Sequence, residues 1–295
     1  MSSRTGPLSA VSQTSALPRP LDLSYASNRA AIYGTLVFAG VSLLMGRNWR
    51  QALGVGGVAM LGWATGRELD PDVPLSAAVA LGLAGVASLG QTGRGEGQTA
   101  PAVLPGLAAL SAARLLTATV GHPVSAPDAL ALSVQAGAAA LGGHRVAALL
   151  PAAALAASQA AHDALSPEAA WSAPTAMVAG LLPAWKPRQA EFRLQSRSYF
   201  RPRLIFADLL SLAALSFTRQ IVAPEQPSSP CDQAPITVSA RRLQASRALS
   251  LSTLALGLAR RESASLLPLA AATLATGLRR ASVFPAGGRR PGEQT

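Results

Sequence analysis

The chain has little charge, few aromatic residues and one cysteine, and each shortage excludes a class of protein. Charged residues make up 13% of the 295 residues, about half of what soluble domains carry. Aromatic residues reach only 4% although hydrophobic residues reach 49%, so the chain lacks the large rings that dominate soluble cores. Cys231 is the single cysteine. It excludes an internal disulfide framework and a cysteine-rich metal site.

The apolar residues that are present favour an all-α polytopic membrane protein. They are mostly Ala, Leu and Val with abundant Gly, and small residues let helices approach closely in lipid. Ten apolar runs of helical length are found, at 30–46, 51–66, 74–92, 101–121, 127–142, 146–161, 170–185, 203–221, 243–259 and 264–279. Because a span takes about 17 to 25 residues, they predict eight to ten short Ala/Leu/Gly-rich transmembrane helices. The last two runs are the weakest, since Arg247 interrupts the first of them.

Composition shifts divide the chain into six segments. Proline, serine and charge mark their boundaries. The predicted segments are a flexible Ser/Pro-rich tail at 1–29, a first membrane helical unit at 30–121, a second membrane helical unit at 122–221, a Pro/Ser-rich loop at 222–242, a terminal helical hairpin at 243–281 and a flexible basic tail at 282–295.

An internal repeat relates the two membrane units. When the chain is shifted so that Glu68 falls on Asp163, three apolar runs of the first unit fall on three of the second. The aligned joints read "GRELDPDVPLSAA" and "AHDALSPEAAWSA". Because duplicated helical units are common in transporter folds, the register predicts a tandem duplication of a four-helix unit. The joint "ARRESASLLPLAA" at 259–271 is a fainter third copy.

The net charge of +11 predicts a partner of negative charge. The arginines lie beside apolar runs rather than among aromatic residues, so we expect contact with lipid and not with nucleic acid. Residues 186–203 carry six basic side chains and one acid, with Arg193, Arg197 and Arg201 on one helical face. This pattern is typical of an interfacial helix on anionic lipid; a solvated basic linker is the alternative.

The stretch "GRELDPDVP" concentrates charge in a chain that has little of it. One interpretation is a site in which the three acids hold a divalent cation and the arginine holds an anionic substrate. The other is a helix start, with an acid as the capping residue and Pro74 in the first turn. The residues concerned are Arg67, Glu68, Asp70 and Asp72.

Two further sets of residues are candidates for function. His162 and Asp163 occupy the joint that the repeat aligns with Arg67 and Glu68. Charges within predicted spans usually face the interior of a helix bundle and mark a pathway. Two such charges, Arg114 and Asp208, fall at nearly equivalent depths in the two units, and we expect them to form a pair.

The motifs of familiar enzymes are not found. The chain contains no HExxH, no G-x-S-x-G and no Walker lysine. We therefore expect a bacterial inner-membrane protein with a transporter-like or scaffolding role that is not an enzyme and has no cofactor. The alternatives are a membrane enzyme that uses a divalent cation at residues 67–72 to act on a lipid-linked or phosphorylated substrate, and a soluble Ala-rich helical binding protein.

Overall fold

The computed structural model describes residues 15–19, 21–91, 103–167, 169–184 and 202–281, and across these residues it is all-α. The helices are α1 (Ala26–Leu44), α2 (Trp49–Leu69), α3 (Pro74–Gln91), α4 (Val103–Thr117), α5 (Ala126–Leu141), α6 (Arg145–Ala161), α7 (Ser172–Gly180), α8 (Pro202–Ser216), α9 (Thr218–Val222), α10 (Ala240–Ala259), a 3-10 turn (Ser263–Leu266) and α11 (Leu267–Arg280). Each of the ten predicted runs overlaps a helix, which confirms the all-α prediction. The run at 203–221 is divided into α8 and α9 at Phe217.

Local capping explains two of the helix starts. Asn48 and Gln51 form a reciprocal capping box at the start of α2, and Ser125 and Asp128 form another at α5. Such boxes satisfy backbone N–H groups that the first turn leaves unpaired.

The helices run up and down, so their connections meet at two ends. Four connections meet at one end of the bundle, which we call the network end: 70–73, 118–125, 162–171 and 223–239. The last of these connections joins the others: the Asp232 N–H donates to the Thr119 carbonyl over 2.9 Å, and the Ser229 N–H donates to Asp72 over 2.8 Å. Both α1 and α11 also have their outer termini at this end, as an even number of crossings requires.

The opposite end is held by contacts of its own. The Val146 N–H, at the start of α6, donates to the Glu262 carboxylate over 2.9 Å. The connection after α10 therefore lies beside the start of α6, and α10 runs antiparallel to α6. The joint of the suggested third repeat at 259–271 thus lies at the opposite end from the joints at 66–78 and 161–173, and the third repeat stays a prediction.

Two helices form the centre of the bundle. Helix α4 contacts α2, α5, α6, α10 and α11. Helix α11 packs on α2, α3 and α8, and every residue from Leu267 to Gly277 is buried. The hairpin that looked weakest in the sequence is therefore part of the core. Arg247 made α10 look unlike a span, but its side chain is buried and ion-paired inside the bundle.

The first three helices of each predicted unit share one arrangement. Helices α1, α2 and α3 contact one another, and so do α5, α6 and α7. The fourth helices differ, because α4 packs on α2 whereas α8 packs on α3, α10 and α11. The arrangement thus supports a duplication of three helices, and a four-helix duplication stays a prediction.

Small residues set the helix spacing. A Cβ added at Gly62 of α2 would lie 2.6 Å from the Ala84 Cβ and 2.9 Å from the Ala80 carbonyl oxygen of α3. Only glycine allows two backbones to come so close. The small-residue packing expected from the composition is therefore present between α2 and α3.

One described helix, α3 at Pro74–Gln91, is long and apolar enough to cross a membrane, and 44% of it is buried. The core helix of a soluble protein meets the same criteria. The predicted interfacial helix at 186–203 lies outside the described residues except for the first backbone positions of α8. The predicted basic tail at 282–295 lies outside them entirely.

Candidate functional site at the network end

Glu68, in the last turn of α2, is fully buried, accepts hydrogen bonds from two side chains and forms an ion pair with a third. The Arg114 Nε lies 2.7 Å from its Oε1, and the Arg19 Nη1 lies 3.5 Å from the same atom. The Thr119 hydroxyl donates to Oε2. A buried carboxylate of this kind is stable only when opposite charge and hydrogen bonds replace water, and this cluster supplies both.

The segment 15–19 covers that cluster. The Ala16 N–H donates to Asp128 over 3.0 Å, and the Leu17 carbonyl accepts from Arg114 over 2.8 Å. Arg19 donates to Asp232 over 2.8 Å. The sequence suggested a flexible tail up to residue 29, but residues 15–19 are bound to four different parts of the network end.

Asp70, the residue that ends α2, forms a second cluster. Its two oxygens accept from the Arg279 Nη2 and Nε over 2.7 and 2.9 Å. The Ser76 hydroxyl also donates to it, and the Arg247 Nη2 lies 3.7 Å away. A bidentate pair of this geometry joins the end of α2 to the end of α11.

Glu225 completes the second cluster from the connection that follows α9. Its carboxylate lies 2.8 Å from both the Arg247 Nη1 and the Arg279 Nη1, and it also contacts Arg280. Partial burial opposes its ionisation, but the hydrogen bond from Arg279 and the charge of Arg247 outweigh burial and lower the pKa of Glu225 to about 2.

Asp163, after α6, pairs with Arg242 at the start of α10. The Arg242 Nη2 and Nε lie 2.6 and 2.7 Å from the two carboxylate oxygens, and Nη1 reaches the Ser158 hydroxyl over 3.1 Å. The hydrogen bond from Arg242 lowers the pKa of Asp163 to about 2. Glu68 and Asp163, aligned by the repeat, therefore each bind an arginine from a later helix.

The remaining residues of the predicted site point elsewhere. Asp72 accepts the backbone N–H groups of Ser228 and Ser229, which lower its pKa against the opposing effect of burial. It therefore fastens the connection 223–239 to the bundle. The Arg67 guanidinium lies over the Trp63 ring and donates to Asn28.

His162 adopts a left-handed backbone conformation at φ 51°, and its ring contacts the Ala160 carbonyl. It is exposed and forms the end of α6. The structure therefore gives His162 a position in a turn beside Asp163, with no contact to Arg67, Asp70 or Asp72 among the bonds that it shows.

The acids of residues 67–72 do not converge. Glu68, Asp70 and Asp72 turn toward three different partners: Arg114, Arg279 and the backbone of Ser228. Within the described residues, no group of three or more His, Cys, Asp or Glu side chains is placed to hold a metal ion. The arrangement instead ties helix ends together through charge.

The expected pair of Arg114 with Asp208 is not formed. Arg114 binds Glu68 at the network end, whereas Asp208 accepts from the Ser263 hydroxyl beside the turn after α10. The prediction is wrong because α8 packs on α11 and the 3-10 turn, so Asp208 lies near the opposite end. Both residues do face other helices rather than the outside.

Sequence reasoning missed most of the basic partners. Arg247 was read as an interruption of an apolar run, Arg242 as part of the Pro/Ser-rich loop and Arg279 as part of the terminal hairpin. The sequence does contain a signal for these pairs. Arginines and acids recur at the ends of otherwise uncharged runs, and in an arrangement of ten helices these run ends lie at the same end of the bundle. Which arginine pairs with which acid depends on helix packing.

Comparison of the chain with protein-family models, with curated proteins and with solved structures finds no match. Its function is therefore inferred from its own residues.

Proposed function

We propose that the chain is a multi-pass protein of the bacterial inner membrane with a scaffolding or transporter-like role. The observation that carries the proposal is the distribution of residues between the inside and the outside of the bundle. Many large apolar side chains are exposed on the outer faces of the bundle, whereas several charged side chains and many hydroxyls are buried inside it. Soluble proteins rarely bury charged side chains or expose extended apolar surface.

The outer faces of α1, α5 and α7 show this most clearly. Val37, Val134 and Val178 are 59%, 62% and 67% exposed. Each lies in the middle of a stretch without charge, at 30–46, 129–144 and 169–184. Apolar surface of this extent marks contact with lipid or with another protein.

The dimensions of α1 suit a bilayer. Its 19 residues extend about 28 Å, close to the roughly 30 Å of a hydrocarbon core. Exposed aromatic residues flank this length: Tyr25 and Trp171 at the network end, and Trp49 at the opposite end. Aromatic belts of this kind occur at membrane–water boundaries. Helices α2 and α10 have 21 and 20 residues. The remaining helices are shorter than α1, so we expect the bilayer to thin around them.

Two observations bear on the role within the membrane. The acids of the network end are bound by arginines or by backbone N–H groups, and α2 packs closely on α3 at Gly62. These contacts favour a rigid scaffold. The buried residues of α10 include the hydroxyl side chains Ser246, Ser250 and Thr253, which favours a transporter-like protein. No observation within the described residues favours the metal-dependent enzyme.

The proposal is tested by placing a charge on the outer face. In lipid, arginine at a helix centre costs about 2.5–3.5 kcal/mol, so Val37→Arg and Val134→Arg should each reduce the membrane-integrated fraction several-fold, measured by alkaline extraction and detergent gel filtration. In a soluble protein the same exposed substitutions would change stability by only about 0.5 kcal/mol. Ile236→Arg, on the exposed connection 223–239, is the matched control and should be neutral. Wild-type amounts of soluble, folded Val37→Arg protein would contradict membrane insertion.

A further inference from the structure

The buried face of α10 is an unusual surface for the centre of an apolar bundle. Arg242, Ser246, Ser250 and Thr253 recur every three or four residues, so they lie on one side of the helix. All four are at least nine-tenths buried. They face α4, α6 and α11, the helices on which α10 packs.

Two of the three hydroxyls on this face are satisfied by their own helix. The Ser250 Oγ donates to the Ser246 carbonyl over 2.8 Å, and the Thr253 Oγ1 donates to the Leu249 carbonyl over 2.7 Å. Serine and threonine commonly bond backward in this way within helices. The Ser246 Oγ differs, because it is buried and has no hydrogen-bond partner among the described residues.

A small cavity lies next to the Ser246 hydroxyl. It is lined by Ser246 and Ser250 of α10 and by alkyl groups of α4, α6 and α11, among them Ala113, Leu150 and Leu269. Its volume accommodates about one water molecule. An unsatisfied buried hydroxyl costs about 1–3 kcal/mol, and a polar group beside a cavity of this size can be satisfied by a bound water.

We propose that this cavity is a binding site for a single water molecule, which is held between the Ser246 and Ser250 hydroxyls. Ser246 donates to the water, and the water donates to a lone pair of the Ser250 Oγ, whose own hydrogen is used on the Ser246 carbonyl. Two polar partners meet the minimum that buried waters normally have. The site does not depend on membrane insertion, so its test is independent of the test of the proposed function.

The lining selects a neutral ligand over a metal cation. It contains no carboxylate, whereas hard cations require several oxygen ligands that usually include carboxylates. Arg242 and Arg247 lie on the same helix, one turn before Ser246 and directly after it.

The direct test is an experimental structure of the full chain in detergent, at a resolution that shows ordered water. We expect density within hydrogen-bond distance of both Ser246 and Ser250. The proposal is overturned if the cavity contains no density, or if the Ser246 hydroxyl donates to a carbonyl of α10. Crystals soaked in sodium bromide address a halide: an anomalous peak in the cavity would replace water by a small anion and overturn the proposal in this form.

Thermal unfolding gives an independent test, because the two possibilities predict opposite changes in Tm for one substitution. If water occupies the cavity, Ser246→Ala removes one of its partners and should lower the Tm by about 2–4 °C, the shift typical of losing one buried hydrogen bond in a chain of this size class. If the cavity is dry, the same substitution removes an unsatisfied hydroxyl and raises the Tm, which overturns the proposal. Ser133→Ala is the matched control, since that hydroxyl is buried but bonded to the Ala129 carbonyl of its own helix.

Discussion

Glu68 shows at the scale of a single residue what holds the network end together. Its carboxylate has no contact with solvent, and Arg114 supplies the nearest charge over 2.7 Å. Such an ion pair adds little to the free energy of unfolding compared with an apolar pair of the same shape. Removing one partner, however, leaves an unpaired buried charge. The cost of losing one partner is therefore the measurable quantity.

Arg114→Met should destabilise the protein by about 3–5 kcal/mol, because Glu68 would keep its charge without its main partner. The measurement is chemical unfolding in mild detergent. Arg50→Met is the matched control: Arg50 is exposed, its recorded contact is the Trp49 ring, and its loss should cost less than about 1 kcal/mol. Equal effects of the two substitutions would show that the Glu68 cluster does not stabilise the fold.

Asp163 and Glu225 predict how stability depends on pH. Both have a pKa of about 2 in the folded protein, below their usual values of 3.8 and 4.5. Their contribution is fully present above those unfolded values, and it is lost as the pH falls through about 2, since the unfolded chain takes up protons first. Stability should thus decline from about pH 4.5 downward.

Unfolding midpoints measured between pH 6 and pH 2 would test this prediction, with Asp163→Asn as the comparison. The variant should be less stable at neutral pH and should show a shallower decline in acid, because it lacks one of the titrating groups. A decline as steep as that of the wild-type protein would mean that Asp163 does not contribute to acid sensitivity.

At the scale of the element, α2 and α3 pack closely because Gly62 has no side chain at their contact. Gly62→Leu would push its Cβ to 2.6 Å from the Ala84 Cβ and force the helices apart. Overpacking of this kind costs about 1–3 kcal/mol. Gly82→Ala, on α3, meets no atom within 4 Å and should be neutral or stabilising by roughly 0.5–1 kcal/mol. Unfolding midpoints of the two variants provide the comparison, and a neutral Gly62→Leu would contradict the close contact.

Helix α11 is the element whose loss should matter most. It is buried from Leu267 to Gly277, and Arg279 at its end binds Asp70. A chain that stops after residue 239 would expose the inner faces of α2, α3 and α8 and leave Asp70 without its bidentate partner. We expect it to aggregate in detergent or to be digested by protease, whereas a chain that stops after residue 281 should remain folded. A stable shorter chain would show that the last hairpin is a separate unit.

At the scale of the whole molecule, the two ends of the bundle differ in charge balance. Most of the arginines that pair with acids lie at the network end, namely Arg19, Arg114, Arg242, Arg247, Arg279 and Arg280. Arg50, Arg260 and Arg261 are exposed at the opposite end. Because short cytoplasmic loops carry an excess of Lys and Arg, we expect the opposite end to face the cytoplasm.

Cysteine labelling can test this orientation, although Cys231 itself is unsuitable. Its thiol is buried, and burial raises its pKa, which slows reaction with maleimides. In a Cys231→Ser background, Ile236→Cys at the network end should react with a membrane-impermeant maleimide in intact cells. Arg50→Cys should react only after the membrane is opened. The reverse result would invert the orientation, and labelling of both in intact cells would contradict a spanning topology.

The sequence by itself determined the elements of this protein. Uncharged runs of small apolar residues, separated by Pro, Gly or charge, are sufficient to predict helices, because backbone hydrogen bonds and side-chain periodicity are local. The runs at 74–92 and 146–161 differ from α3 and α6 by one residue at one end.

Only the tertiary structure decided the partners of the charges. Arg114 was expected to pair with Asp208 and instead binds Glu68, and Arg247, expected to interrupt a weak span, lies at the centre of an ion-pair cluster. These pairings join residues far apart in the chain, such as Asp70 and Arg279. They depend on which helices pack together. Helices built mostly of Ala, Leu and Gly have similar surfaces, so their sequences give little information about which helices are neighbours.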